Sequence, residues 1–401
     1  MLSLKVLAIG DIGNILQTLR KYTKAEIHII NFFKDGAGNF TYANDIETFE
    51  NYKVKDHLRK INEISENYDV CITMGTGERI AYLADLNYST FYVGRDIDAP
   101  RFIKNSKEEW FDEPLHKLNF LERFFYKKCF DNANFHLAYT WVFEHLKKYT
   151  KNGIKLDMMP IDPTVFKTNI TPLEKPKTKF VFFSPQRMGK PKGTDIIWKA
   201  LPMCKSDFEI LQVEWFDVST NEEIIIKNEL IKTKPKQVTF IPMIKRENMA
   251  QYYNFSDAIM GNMRIGTYAL IELEGIFCKK PVLQYTNHNM KIFAGKKELI
   301  SPILPTSNKP EDIAKIIDKI VDDKNFRDEL FEKEYSFAKQ ISDPNFVAQW
   351  WDDFFLEIHE KYPKIKKNSS KFRIKLRLIL FLLGNRLYMK KFKKLLGIDI
   401  N

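Results

Sequence analysis

Along the first 165 residues, short apolar runs alternate with stretches whose apolar positions recur every three or four residues. The runs read as buried strands at Lys5–Ile9 and at residues 26–33, 69–74 and 90–93. The periodic stretches read as helices at 14–22, 54–67 and 78–86. Such alternation predicts a parallel sheet covered by helices on both faces. A polar, Pro-containing stretch at 167–179 interrupts it and reads as a linker. A second alternating set follows, with strands at Phe180–Ser184, Phe208–Val213, Val238–Ile241, Ala258–Met260 and 282–285. Its helices start at Thr194, near Asn221, at Glu247 and at about Tyr268, and helices dominate 309–362. The pattern predicts an α/β protein of two Rossmann-like domains, 1–166 and 180–345, facing each other across a cleft. A helix at 346–362 returns toward the first domain, and 363–401 forms a basic amphipathic tail. In open parallel sheets, ligands bind beyond the carboxyl ends of the strands.

Length and composition narrow the classes. A chain of 401 residues suits two domains, and 44% hydrophobic residues exclude a disordered chain. The four cysteines, Cys71, Cys129, Cys204 and Cys278, form no CxxC pair and suit a reducing compartment. The seven histidines are dispersed, and His136 and His288 read as structural or surface residues. With no zinc-type ligand spacing and no nucleophile elbow, no metal or covalent catalysis is expected. Residues 1–13 read as a strand and turn rather than a secretory signal. No apolar run reaches the ~18–20 residues of a membrane span. A soluble, cytoplasmic chain is expected.

Two segments carry candidate chemistry. In residues 180–199, FVFFSPQRMGKPKGTDIIWK, a buried strand runs into a polar loop bearing Arg187 and Lys192, then Gly193 and a helix start. Two cations beside a helix N-terminus suit a diphosphate, because Arg binds phosphate oxygens bidentately and Lys adds a mobile charge. Taken alone, they are equally consistent with two solvated loop cations. In residues 258–285 a strand feeds a glycine-containing loop, then a helix bearing Glu272 and Glu274, then another buried strand. The backbone N–H groups of Gly266, Thr267 and Tyr268 can meet a phosphate there, and a carboxylate suits ribose hydroxyls. The alternative is that both glutamates sit on a helix surface. The Gly10–Gly13 turn falls short of a dinucleotide fingerprint and reads as a tight turn or an acceptor-side backbone approach, while the Met74–Gly77 turn reads as cleft lining or an ordinary turn.

Together these segments resemble the retaining GT-B glycosyltransferases called group 1 glycosyl transferases. Members carry a strand, then Arg, five residues later Lys, then Gly, as in Arg187, Lys192 and Gly193. They also carry an acidic pair eight apart before Gly-Lys-Pro-Val, and Glu274 with Lys280, Pro281 and Val282 matches its second half. The resemblance spans about residues 1–361 and is looser in the first half, where Gly94 and Asp96 match a His-Gly-x-Asp segment. It departs at Gly266, where members have the first Glu, and at Val93, where they have His; both approach the donor sugar in the family. The resemblance implies transfer of a sugar from a nucleotide-diphosphate donor, UDP or GDP, with retention and without metal or other cofactor. It implies that Arg187 and Lys192 stabilise the leaving diphosphate, that Glu274 orients the ribose, that the acceptor passes Gly10–Gly13, and that Gly94 lies among the substrate-binding residues. The alternatives are a non-catalytic sugar-nucleotide or glycan-binding scaffold of the same fold and a transferase with a soluble acceptor.

Charge changes one part of this picture. Of 63 basic and 52 acidic residues, 12 and 1 lie in 363–401, leaving 51 of each in the body. A helix through this tail would lay an apolar side at the headgroup level of a membrane. Lys371, Arg373, Lys375, Arg377, Lys390, Lys391, Lys393 and Lys394 would then face anionic lipid. The polar break at 364–370 predicts a tail hanging from the body; the alternative is a helix packed on it. A lipid-linked or envelope glycan acceptor on the cytoplasmic face of a membrane follows as the expectation. Nothing in the fold pattern points to nucleic acid.

Overall fold

The computed structural model describes residues 3–32, 46–51, 53–173 and 179–384. It divides into two compact units. One holds the chain up to Lys155 together with the part from Trp351 onward, and the other holds Leu156–Trp350. The expected boundary near Phe166 therefore falls earlier. Residues 156–166 make their backbone bonds in the second unit, where Met159 N–H donates to Ile341 O and Ile161 N–H to Ser342 O. Residues 174–178 of the expected linker lie outside the described residues.

The first unit is built on seven parallel strands: β1 (Lys5–Ile9), β2 (Glu26–Asn31), β3 (Glu47–Thr48), β4 (Val70–Met74), β5 (Ser89–Tyr92), β6 (His136–Ala138) and β7 (Gly153–Lys155). Their order is β3-β2-β1-β4-β5-β6-β7. β1, β4 and β5 are almost wholly buried, as strands covered on both faces must be. The second unit has five parallel strands: β8 (Phe180–Ser184), β9 (Phe208–Val213), β10 (Val238–Ile241), β11 (Ala258–Met260) and β12 (Val282–Leu283). Their order is β10-β9-β8-β11-β12, followed by the antiparallel hairpin β13 (Ile292–Ala294) and β14 (Lys297–Leu299). The strand order reverses between β1 and β4 in one unit and between β8 and β11 in the other. Loops diverge at such a switch point and leave a crevice at the carboxyl ends.

Each unit has its own apolar core, centred on Leu7, Ile9 and Cys71 in the first and on Phe182, Ile210 and Met260 in the second. Helix Pro344–Lys361 runs from one unit to the other, and its second half is fixed in the first unit. There Trp351 packs 5.9 Å from Phe91, and Asp352 accepts the backbone N–H groups of Lys24 and Ala25.

The described part of the tail, residues 364–384, does not hang from the body as the polar break suggested. Residues 364–369 are laid along the first unit. Asn87 N–H donates to Ile365 O, Lys367 N–H to Asp85 O, and Ser369 N–H to the Asp85 carboxylate. Helix Lys371–Gly384 then packs against helix Phe120–Asn132, burying Phe381 5.2 Å from Phe125. Arg377, expected to face lipid, instead donates to Asp85 Oδ1 at 2.7 Å and to Tyr82 O, and its guanidinium lies over the Tyr82 ring. The reason is Asp85, a buried carboxylate that requires a cation. Lys390, Lys391, Lys393 and Lys394 lie outside the described residues. No helix among the described residues is long and apolar enough to cross a membrane.

Candidate functional site

At the switch point of the second unit, the loop after β8 meets the loop after β11. The β8 loop is held at both ends. Gln186 Nε2 donates to Gly261 O at 2.7 Å, Met188 N–H to Trp215 O at 2.8 Å, and Gly189 N–H to Thr194 Oγ1 at 3.0 Å. At Gly193, φ is +71° and a Cβ would lie 2.9 Å from the Met263 carbonyl carbon. Glycine is needed there both for the left-handed turn and for the close approach of the second loop. Met263 N–H donates to Lys192 O across that contact.

Arg264, which the sequence reading passed over, clamps the two loops. Its Nε donates to Lys190 O at 2.6 Å, and its Nη2 donates to both Asp195 oxygens at 2.8 and 2.6 Å. The second loop is braced from within by Asn262 and Glu272. Asn262 Oδ1 accepts the N–H groups of Arg264 and Ile265, and Glu272 accepts those of Asn262 and Ala269. Glu272 is fully buried. It fits only because residue 261 is glycine, whose Cβ would otherwise lie 2.4 Å from Oε1.

This frame presents three kinds of donor. Arg187 is held by Asp217, Nη1 to Oδ2 at 2.5 Å, with its side chain 18% exposed. The Lys192 side chain is half-buried, and its amine has no hydrogen-bond or ion-pair partner among the described residues. Burial pushes its pKa down to about 8; the Glu272 charge opposes that shift and the Arg187 charge adds to it. The N–H groups of Gly266 and Thr267, just before helix Leu270–Phe277, also find no acceptor among the described residues. Arg187 and Lys192 lie within electrostatic reach of each other, on a loop joined by Met263 N–H to the loop that leads into this helix, and cations beside such a loop suit an anion.

The remaining candidates fall differently. Tyr268 is an anchor, its OH donating to Asp157 O at 2.6 Å and its ring packed on Phe337. Glu274 is not on a helix surface, nor is it open to a ribose. It is completely buried, with Arg246 donating to both oxygens and Tyr253 OH donating to Oε2 at 2.8 Å. No exposed oxygen is left in this conformation. Gly266, where the resembled family has Glu, has φ +83°, and a Cβ would stand 2.8 Å from Asn287 Cβ. The backbone here accepts no larger side chain.

In the first unit, Gly13 sits in a left-handed turn, φ +72°, that opens helix Ile15–Leu19. Asp11 fixes that turn by accepting the N–H groups of Leu16 and Gln17. Burial raises Asp11 to about 6 against those hydrogen bonds. Gly94 donates its N–H to Asp96 Oδ1 at 2.9 Å, and a Cβ there would stand 3.0 Å from the Trp141 ring. Both glycines are accounted for by local geometry.

Comparison with known proteins agrees with this architecture. Residues 165–337 match the family model of glycosyl transferases group 1. A search among curated protein sequences finds no match. Among solved structures, HepE of Anabaena, crystallised with UDP and glucose, superposes with a TM-score of 0.62 at 15% identity, covering 88% of this chain and 100% of that one. Sucrose-phosphate synthase of Thermosynechococcus elongatus gives 0.62 at 14%, covering 89% and 100%. A glycosyltransferase of Rickettsia africae gives 0.56 at 16%, covering 92% and 100%. The paired parallel-sheet units thus share the fold of solved GT-B glycosyltransferases, and the segment that carries the Arg187–Lys192–Gly193 loop matches the group 1 glycosyl transferase model.

Proposed function

We propose that the protein transfers a sugar, with retention and without metal, from a nucleotide-diphosphate sugar to a lipid-linked or envelope glycan. The observation that carries the donor half is Lys192. It is a partly desolvated cation whose amine has no hydrogen-bond or ion-pair partner among the described residues, set beside Arg187 on a loop that Met263 N–H joins to the loop carrying Gly266 and Thr267. When the bond from the anomeric carbon to the diphosphate oxygen breaks, negative charge grows on that oxygen. Fixed donors already aimed there stabilise it without reorganising. The new bond forms from the acceptor hydroxyl to the same carbon, and the hydroxyl proton passes to the departing phosphate. Asp217 holds the Arg187 guanidinium in place for this role. The crystallised complex of HepE with UDP-glucose supports a uridine donor. The acceptor half rests on the basic, apolar tail helix and points to the cytoplasmic face of an anionic membrane.

The test is binding and slow hydrolysis across UDP-, GDP-, ADP- and dTDP-sugars without added metal. One donor should bind and turn over, and Arg187→Ala or Lys192→Ala should abolish turnover. Binding without turnover, even with glycan and lipid acceptors supplied, would turn the reading to the scaffold. Turnover with soluble sugars alone would favour the soluble-acceptor transferase.

A further inference from the structure

Helix Lys371–Gly384 is apolar on two opposite sides, and only one of them faces the core. Arg377, Phe381 and Gly384 meet the body of the first unit. Phe372, Leu376, Ile379 and Leu383, spaced as one helical stripe, point the other way, and Phe372 is 74% exposed. Its neighbour, helix Phe120–Asn132, repeats the arrangement. Phe125 and Cys129 enter the same core, while Phe120, 68% exposed, and Phe124 stack on each other 6.3 Å apart at the surface. The helices lie side by side, with Asn119 Nδ2 donating to Gly384 O at 2.9 Å and Gly384 against the Glu122 backbone. Core packing does not explain two adjacent outward apolar stripes, and contiguous exposed apolar patches mark interaction surfaces.

Charge selects the occupant. Residues 363–384 contain seven Lys or Arg and no Asp or Glu. Lys371, Arg373 and Lys375 are exposed beside the apolar stripe, and Lys128 Nζ lies 5.2 Å from the Phe124 ring. We propose that this pair of helices is the surface through which the protein seats on an anionic lipid bilayer. Phe120, Phe124, Phe372 and Ile379 enter the acyl boundary while the lysines and arginines stay among the headgroups. A second copy of the chain would set cations against cations in a two-fold contact. A nucleic acid would leave the apolar stripe in water. The 14 described residues of this helix are about 21 Å long and carry cations between their apolar positions, a pattern suited to lying in the interface. The inference rests on the membrane part of the proposed function and is independent of the donor site.

The experiment is flotation of the full chain with phosphatidylcholine vesicles, with and without phosphatidylglycerol. Wild type should float with the anionic vesicles. Phe120→Ser/Phe124→Ser and Phe372→Ser/Ile379→Ser should each weaken partition about tenfold or more, and Arg373→Glu/Lys375→Glu should remove the preference for anionic lipid. All three variants replace exposed side chains and should keep wild-type thermal unfolding and donor hydrolysis. Wild-type flotation by both serine variants, or loss only on deleting 385–401, overturns the proposal. So does a failure of wild type to float, or a vesicle-free dimer that the same substitutions abolish. Flotation without turnover of any donor would leave this surface standing and remove the donor reading; turnover without flotation would do the reverse.

Discussion

Replacing Lys192 by Met should remove activity while making the protein more stable, a pairing that a merely structural lysine does not produce. A charge about 4 Å from a phosphate oxygen is worth about 4 kcal/mol at an effective dielectric near 20. Loss of one preorganised donor typically lowers kcat about 10²–10³-fold. The same burial that strengthens this charge also disfavours it. With its pKa held at about 8, below the ordinary lysine value, Lys192 costs stability while protonated. That cost is fully present below pH 8 and fades as pH rises from about 8 toward 10.5. Met at this position should therefore raise stability near pH 7 by about 1–3 kcal/mol, discounted for the solvent that still reaches the amine. Because the protonated amine is the working form, kcat/KM of wild type should fall above about pH 8. Bound diphosphate should move the corresponding limb of kcat upward. Donor hydrolysis followed from pH 6 to 10, with urea unfolding at pH 7, measures both effects. A Lys192→Met enzyme that keeps kcat/KM within about threefold, or whose alkaline limb is unchanged, would refute the reasoning.

Other residues give sharper structural tests. Gly266→Glu, which supplies the acid of the resembled family, should destabilise by about 2–4 kcal/mol through left-handed strain and the Asn287 clash; a thermal melt that holds its Tm while turnover rises would contradict this. Arg246→Ala leaves the buried Glu274 carboxylate without its cation and should cost about 3–5 kcal/mol in urea unfolding. Glu272→Gln removes the charge that holds Lys192 up, so the alkaline limb should move to lower pH; a limb that stays or rises would break the link between the two. Arg377→Ala strips Asp85 of its ion pair and should expose 364–384 to trypsin about tenfold faster, by about 1.4 kcal/mol of easier local opening.

What was readable in the chain was local. Strands β8, β9, β10 and β11 were placed to the residue because each is a short apolar run bounded by polar turns. Arg187, Lys192 and Gly193 stood out because a strand, two cations and a glycine in that spacing carry their chemistry with them. The partners that decide how those residues behave were not readable, because they come from elsewhere in the chain. Arg246 reaches Glu274 across 28 residues, Arg264 reaches Lys190 across 74, and Asp85 holds Arg377 across 292. No periodicity links such pairs; only the fold does. The tail shows the same limit, since its alternation of cations and apolar residues is the same whether it hangs free or docks, and Asp85 decides. Gly266 is the converse case: a departure from the family pattern on the page, with its packing reason visible only in the folded loop.

The central claim is that the loops after β8 and β11 hold the donor diphosphate. Amide hydrogen exchange of the full chain with and without the nucleotide that binds tests it most directly. The account predicts slowed exchange at Gly266 and Thr267 and along residues 187–193, lost in Lys192→Met. Protection confined to the Gly10–Gly13 turn, or unchanged exchange at Gly266 and Thr267 under saturating nucleotide, would contradict it.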